Sequence, residues 1–436
     1  MVNFKYAALH SDLMVESYSN VKGTEDYYPE QKFVQQHIFS KLREVAQSYN
    51  FKEVETPVFE YLDLLTKKEG EEIINQIFVL EKRSKEKLGL RFDLTVPGAR
   101  LFITKQKQLP KPVKWFSIDK MWRYEQPQAG RLREFYQFNC EIYGSKSIMS
   151  DAQLISLAIA ALEKLGLRLN KDFKVYVNNR KLLEGFLQGL TGKKEVFDII
   201  HLIDKREKIS EDEFVEGLEK LGIRQVNELI KFISLDDLSD VDETSLNEKA
   251  QEGLNSLRKI FSLLDGKIVF APGIARGLSY YTDLVFEIFD ADRKLRALAG
   301  GGRYDLLIEQ FGGLPTPATG FAMGYSTLSL LLKQRNLLPS YKNMLKVYVA
   351  PVNDSARQRA FEICSELQKN IIADTDLMNR SLSKQLKYAS SLNAEYVVFV
   401  GEDELSRGMV KVRDMQSGKE EDVRLAELSS YFQSKQ

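Results

Sequence analysis

The chain has 436 residues, with 62 Lys+Arg balanced by 62 Asp+Glu, three histidines and two cysteines. At 43% hydrophobic and 28% charged it has a globular composition sufficient for about two to three domains. These counts exclude a disulfide framework and a zinc-ligand spacing, and the zero net charge excludes overall electrostatic steering toward nucleic acid.

The first residues read as a loose arm without the basic start, apolar segment and cleavage site of a signal peptide. No apolar run reaches the about 18 residues that a membrane helix needs. A reducing, cytoplasmic compartment is the expectation. Residues 30–49 form an amphipathic pattern, with Val34, Ile38, Leu42, Val45 and Tyr49 at helical spacing. Residues 51–59 are extended and interrupted by Pro57. Residues 77–80 and 88–94 predict a hairpin, and 113–124 and 133–143 predict two further strands around the loop EQPQAGRL. In the last of these Phe135, Gln137, Asn139 and Glu141 share one face, and Tyr136, Phe138, Cys140 and Ile142 the other. A helix over 151–165 and a strand over 173–178 follow.

Residues 181–262 are rich in Lys, Glu and helically spaced Leu and contain no proline, which predicts a helical insertion. Strands are expected at 268–271, 284–289 and 295–299, then a tight turn at Gly300–Gly302 and a buried helix over 321–333. After a linker at 334–345 the pattern changes to strand, helix, strand, helix, strand, the signature of a compact α/β unit.

Chemistry-bearing residues cluster in three stretches. Arg123, Glu125, Arg131, Arg133, Gln137 and Glu141 form the densest; arginines around a loop can grip phosphate bidentately. Arg276 precedes Tyr280 and Tyr281 at the entry to a strand. Asp93 and Thr95 are two residues apart, as strand neighbours on one face are. There is no GxxxxGK[ST] and no GxGxxG.

Together these stretches resemble the class II aminoacyl-tRNA synthetases, and among them the histidyl-tRNA synthetase family. The resemblance rests on KGTEDYYPEQ (22–31), EVETPVFE (53–60), LRFDLTVPGAR (90–100), WRYEQPQAGRLREFYQFNCEIYG (122–144), NNRKLLEG (178–185), IDKREKIS (203–210), ARGLSYYTDLVFE (275–287), GGGRYD (300–305), PATGFAMG (317–324) and SLSKQLKYA (381–389). It implies an α+β fold: an antiparallel sheet flanked by helices over 1–336, with the helical insertion at about 181–262. A C-terminal α/β anticodon-binding domain over 345–436 completes it. The implied activity is ATP-dependent, magnesium-assisted conversion of L-histidine to histidyl-adenylate, then transfer to tRNA(His), by a homodimer built through 53–60.

By the same resemblance Asp93, Thr95 and Gln137 would hold the amino acid's ammonium end, Glu141, Tyr280 and Tyr281 its imidazole, and Leu94 would be a further histidine-site residue. Arg123 and Arg276 would bind the α-phosphate as the catalytic pair, and Arg276 would also reach the substrate carboxylate. Glu125 and Arg131 would assist ATP, and Gln128 with Arg131 would approach the tRNA acceptor end. No resident metal is implied. Lys384 and Lys387 lie nearly one helical turn apart in the anticodon unit, where cationic and anionic residues balance over 341–436.

The sequence departs from the family pattern at Thr327, where an arginine that meets adenine and γ-phosphate is usual, and at Ser279 and Asp283. Two alternatives follow: a non-catalytic paralogue sensing histidine or uncharged tRNA, and a regulatory subunit of ATP phosphoribosyltransferase, which usually lacks the C-terminal unit.

Overall fold

The structure is a computed structural model that describes residues 18–67, 74–81, 85–128, 130–192, 196–276, 280–341 and 344–435. It divides into two compact units, Met1–Pro339 and Ser340–Gln436.

The first unit is built on an eight-stranded sheet in the order β1-β4-β5-β10-β9-β8-β6-β7. These strands are β1 (Lys52–Glu53), β4 (Val113–Trp122), β5 (Glu134–Tyr143), β6 (Phe173–Asn179), β7 (Val269–Phe270), β8 (Leu284–Asp290), β9 (Ala299–Arg303) and β10 (Ala318–Gly324). The edge pairs β1·β4 and β6·β7 are parallel and the interior is antiparallel. A separate pair joins β2 (Phe59–Tyr61) to β3 (Leu88–Leu90). Helices Pro29–Ser48, Ile148–Lys164 and Glu248–Leu263 contribute Ile38, Leu42, Leu154, Ile155, Leu254 and Leu257 to one buried cluster with Phe138, Val175 and Phe286 of the strands. That packing covers one face of the sheet with helices.

Local chemistry starts and ends these helices. Ser147 Oγ accepts from Met149 N, Asn179 Oδ1 from Lys181 N, and Ser210 and Glu213 form a reciprocal capping box. Gly192 closes the Arg180–Thr191 helix at φ 65°, a conformation that favours glycine. Helices at Arg180–Thr191, Phe197–Lys205, Glu211–Lys220, Val226–Ile233 and Glu248–Leu263 occupy the stretch predicted as a helical insertion. The first and last of them touch backbone to backbone: a Cβ on Gly253 would lie 2.4 Å from Leu182 N. One buried ion pair ties the covering layer to the sheet. Arg303 of β9 donates to Asp151 at 2.6 Å and to the carbonyls of Ser145 and Ser147, so its charge is offset inside the protein.

Four predicted elements are corrected. Residues 295–299 are not a strand over their length and Gly300–Gly302 are not a turn: the glycines lie inside β9, a central strand. The helix predicted over 321–333 begins at Tyr325, because 318–324 is strand β10 pairing with both β5 and β9. The strand predicted over 88–94 ends at Leu90, and Thr95 begins a helix that runs to Lys105. In that helix Pro97 occupies the first turn, where its missing N–H costs nothing.

The second unit carries a five-stranded sheet, β12-β11-β13-β14-β15, with β11 (Val347–Pro351), β12 (Ala373–Thr375), β13 (Tyr396–Val400), β14 (Met409–Asp414) and β15 (Glu420–Arg424). The pairs β11·β12 and β11·β13 are parallel and the rest antiparallel. Helices Arg357–Leu367 and Leu382–Ser391 provide the crossovers that parallel pairing requires. Strand β15 was not predicted; Glu420, Glu421 and Asp422 give it three consecutive anionic residues with only Val423 buried. No helix among the described residues is long and apolar enough to cross a membrane.

Candidate active site

A cavity of about 1190 Å³ opens in the first unit, and its wall is drawn from distant stretches of chain. Asp93 and Thr95 come from the turn into the Thr95–Lys105 helix, Arg123 from the end of β4, and Gln137 and Asn139 from β5. Arg276, Tyr280 and Tyr281 approach from the segment before β8, and Gly300 and Gly320 form part of the wall on β9 and β10. Gly277, Leu278 and Ser279 lie outside the described residues.

Two contacts help to hold the Arg123 side chain. Its Nε donates to the Phe92 carbonyl at 2.9 Å, and its guanidinium lies 5.3 Å from the centre of the Phe135 ring. Arg276 adopts φ 44°, an uncommon conformation for a residue with a side chain. Its Nη1 donates to Glu287 at 3.2 Å and its guanidinium lies 5.3 Å from the Tyr281 ring centre. Tyr280 and Tyr281 stand with ring centres 4.8 Å apart, and both meet Tyr304 edge-on. Such tilted contacts fix the ring directions.

The glycines explain how two large side chains fit. A Cβ on Gly300 would lie 1.7 Å from Arg276 Nη1. One on Gly320 would lie 1.8 Å from Glu141 Oε2 and 2.5 Å from the Tyr304 hydroxyl. The absent side chains on two neighbouring central strands are the space into which Arg276 and Glu141 project.

The carboxyls sit at different depths. Asp93 Oδ1 accepts from Val96 N at 3.3 Å. Burial raises its pKa to about 6, against the opposing pull of Arg123. Glu141 lies deeper, behind Gly320. It lines a second cavity of about 20 Å³ with Asn139, Tyr143 and Leu94 rather than the large one. Thr95 Oγ1 donates to Glu141 Oε1 at 3.4 Å, and Oε2 has no hydrogen-bond partner among the described residues. Burial, then the neighbouring Asp93, hold the Glu141 carboxyl well above the usual carboxylate range. A buried acceptor left open in this way is costly unless a ligand supplies a donor.

The remaining predicted residues have these places. Glu125 and Arg131 both line the large cavity and form an ion pair with each other. Gln128 is exposed at the tip of the β4–β5 loop, where it exchanges two backbone hydrogen bonds with Arg131. Leu94 is buried and faces the smaller cavity. Thr327 is buried at the cavity wall, and a Cβ on Gly130 of the loop would lie 3.3 Å from its hydroxyl. Arg335, on the same helix, does not reach this wall; it pairs with Asp172 at 3.1 Å. Asp283 accepts from Asn179 at 2.5 Å and Ser256 at 3.2 Å, joining β6 and the Glu248–Leu263 helix. Sequence reasoning missed Gly300, Gly320, Tyr304 and Arg296 of the wall; the run Gly300–Gly302 was the available signal.

Known proteins are similar to this chain. The sequence profile of the family described as histidyl-tRNA synthetase matches residues 23–328, and that of the anticodon binding domain matches 346–435. The chain is 40% identical over 417 residues to the histidine–tRNA ligase of Pyrococcus abyssi, covering 92% of this chain and 96% of that one. It is 37% identical over 428 residues to that of Pyrococcus furiosus, covering 95% and 98%. Its structure is similar to the crystal structure of histidyl-tRNA synthetase from Nostoc sp. PCC 7120, with TM-score 0.76, 27% identity and coverage of 96% and 99%. The first profile spans every strand of the eight-stranded sheet and every described wall residue discussed above, and on that ground the chain belongs to the histidyl-tRNA synthetase family.

Proposed function

We propose that this chain joins L-histidine to tRNA(His) in two steps at the large cavity. The histidine carboxylate oxygen attacks the α-phosphorus of ATP, the bond to the bridging oxygen breaks, and pyrophosphate leaves. A ribose hydroxyl of the terminal adenosine of tRNA then attacks the activated carbonyl carbon and AMP leaves. The observation that carries this reading is the convergence of Arg123 and Arg276 on one cavity with the half-buried carboxyl of Asp93.

The first step brings two anions together. Arg276 between carboxylate and α-phosphate, and Arg123 on the α-phosphate, offset that repulsion and stabilise charge that develops on the phosphoryl oxygens. Asp93, Thr95 and Gln137 receive the ammonium group, with Leu94 packed behind them. Glu141, Tyr280 and Tyr281 address the imidazole, which offers one donor and one acceptor. Glu125 and Arg131 act as a pair toward ATP, and Gln128 with Arg131 toward the acceptor end of tRNA. Magnesium enters with ATP as part of the substrate. Among the described residues no cluster of three or more His, Cys, Asp or Glu could hold a metal.

The catalytic domain is assigned to 1–336 and the anticodon-binding domain to 345–436. In the latter, exposed Lys384 and Lys387 on the Leu382–Ser391 helix are available to RNA phosphates. A homodimer through 53–60 is supported by the exposed apolar side chains Val58, Phe59, Tyr61, Val79 and Leu80 on and beside β2 and β3; a monomeric mass at micromolar concentration would overturn it. The cytoplasm is the proposed location. No observation favours a non-catalytic reading.

Histidine-dependent exchange of pyrophosphate into ATP tests the function. Exchange that requires histidine supports it; histidine binding without exchange overturns it.

A pH dependence follows from Asp93. Its carboxylate is the form that accepts from an ammonium, and its pKa is raised to about 6. Histidine affinity is therefore expected to fall as pH drops through about 6, because the acid form loses the charge. The imidazole of free histidine titrates nearby, at about 6.5, so Asp93→Asn serves as the control. Titration calorimetry on both proteins should show a shallower pH profile for the variant. Identical profiles would remove Asp93 from the ammonium site.

A further inference from the structure

The large cavity holds another arginine that the assignments above leave unused. Arg296 precedes β9 and lines the same cavity as Arg123. Gly324 N donates to the Leu298 carbonyl at 3.0 Å, so the chain just before β9 runs beside the end of β10 and the start of the Tyr325–Gln334 helix. That helix start contributes Ser326 and Thr327 to the wall, and neither carries charge. Arg296 therefore enters the wall from the segment that runs beside this uncharged corner, which Gly130 of the β4–β5 loop also touches.

Its surroundings are unusual for an arginine. Arg296 is exposed to the cavity, and among the described residues it forms no hydrogen bond, ion pair or ring contact. Partial burial, and then the positive charge of Arg123, push its pKa below the ordinary arginine value. Two cations near enough to repel each other cost free energy in the empty cavity, and a multiply charged anion entering between them removes that cost.

We propose that Arg296 binds the β- and γ-phosphates of ATP, from the chain segment beside the helix start where Thr327 brings no charge. This rests on the reading of the cavity as an ATP-dependent histidine-activating site. The contact belongs to the part of ATP that departs as pyrophosphate, so it acts on nucleotide binding and leaves the histidine subsite untouched. A backbone phosphate of the tRNA end offers the same chemistry. ATP is favoured because Arg296 acts on Arg123, the arginine assigned to the α-phosphate.

The test compares the parent chain with Arg296→Ala and Arg296→Lys. In pyrophosphate exchange without tRNA, Arg296→Ala is expected to raise the KM for ATP by about tenfold or more, as loss of a hydrogen bond to a charged group does. The KM for histidine should not move, and Arg296→Lys should recover part of the loss. Inhibition by pyrophosphate should weaken in Arg296→Ala while inhibition by AMP is unchanged, which separates the outer phosphates from the adenosine and α-phosphate. An unmoved KM for ATP overturns the proposal, as does an equal loss of AMP inhibition. A defect confined to transfer onto tRNA overturns it in favour of the RNA phosphate. If the parent itself shows no exchange, the activation reading fails. Equilibrium dialysis with labelled ATP then still decides whether Arg296→Ala weakens triphosphate binding.

Discussion

Arg276→Ala is expected to lower histidine-dependent pyrophosphate exchange by about two to three orders of magnitude, the usual consequence of deleting one preorganised donor aimed at developing charge. The guanidinium is already fixed before substrate arrives, by Glu287 at 3.2 Å and by the face of Tyr281, so no reorganisation is needed during reaction. Histidine binding should remain measurable, because Asp93, Thr95 and Gln137 stand on other elements. Gly300→Ala is a second route to the same loss. Its methyl would occupy a position 1.7 Å from Arg276 Nη1, and a displaced guanidinium loses alignment even with its charge retained. Single-turnover adenylate formation reads both variants; unchanged rates in both would remove Arg276 from the chemistry.

Gly320→Ala should raise the KM for histidine by about a hundredfold, the typical cost of misplacing a binding group by about an ångström. The added methyl would collide with Glu141 Oε2 and the Tyr304 hydroxyl, and Glu141 would have to leave the position from which it is proposed to meet the imidazole. The KM for ATP should change little, since Arg123 and Arg276 are not touched. Glu141→Gln keeps the shape and removes the strong acceptor, so it should act in the same direction. A thermal melt confirms folding in each case. A Gly320→Ala protein with the parent's KM for histidine would show that Glu141 does not set the amino-acid subsite. A site built around a hydrogen-bonded ring discriminates against analogues lacking the ring atoms by about 10⁴–10⁵. Loss of that discrimination in Glu141→Gln would be the clearest sign of the role.

The β5 face was legible from its alternation: Gln137, Asn139 and Glu141 were expected on one side, and Asn139 and Glu141 are indeed buried beside the cavities. The helical insertion was legible from leucine spacing, and the change of period near residue 340 coincides with the division into two units. Strands β9 and β10 were not legible. Glycine has weak strand preference, and strands buried on both faces lose the alternation that marks an exposed sheet. Asp93 and Thr95 have the spacing of strand neighbours on one face, but Thr95 begins a helix whose first turn Asp93 caps by accepting from Val96 N.

The sequence by itself determined the kinds of chemistry present. Arginines, carboxyls and tyrosines occur in motifs whose resemblance names a family, and the three histidines show no metal-ligand spacing. Only the tertiary structure decided which of these residues share a cavity and how they are held there. It put Glu141 behind Gly320, gave Arg276 the room left by Gly300, paired Glu125 with Arg131, and brought Arg296 into the cavity that Thr327 also lines. The reason is physical. Pairing of β5, β10, β9 and β8 sets distant segments side by side, and whether a charge is buried, paired or left open depends on those neighbours and not on the residue's own place in the chain.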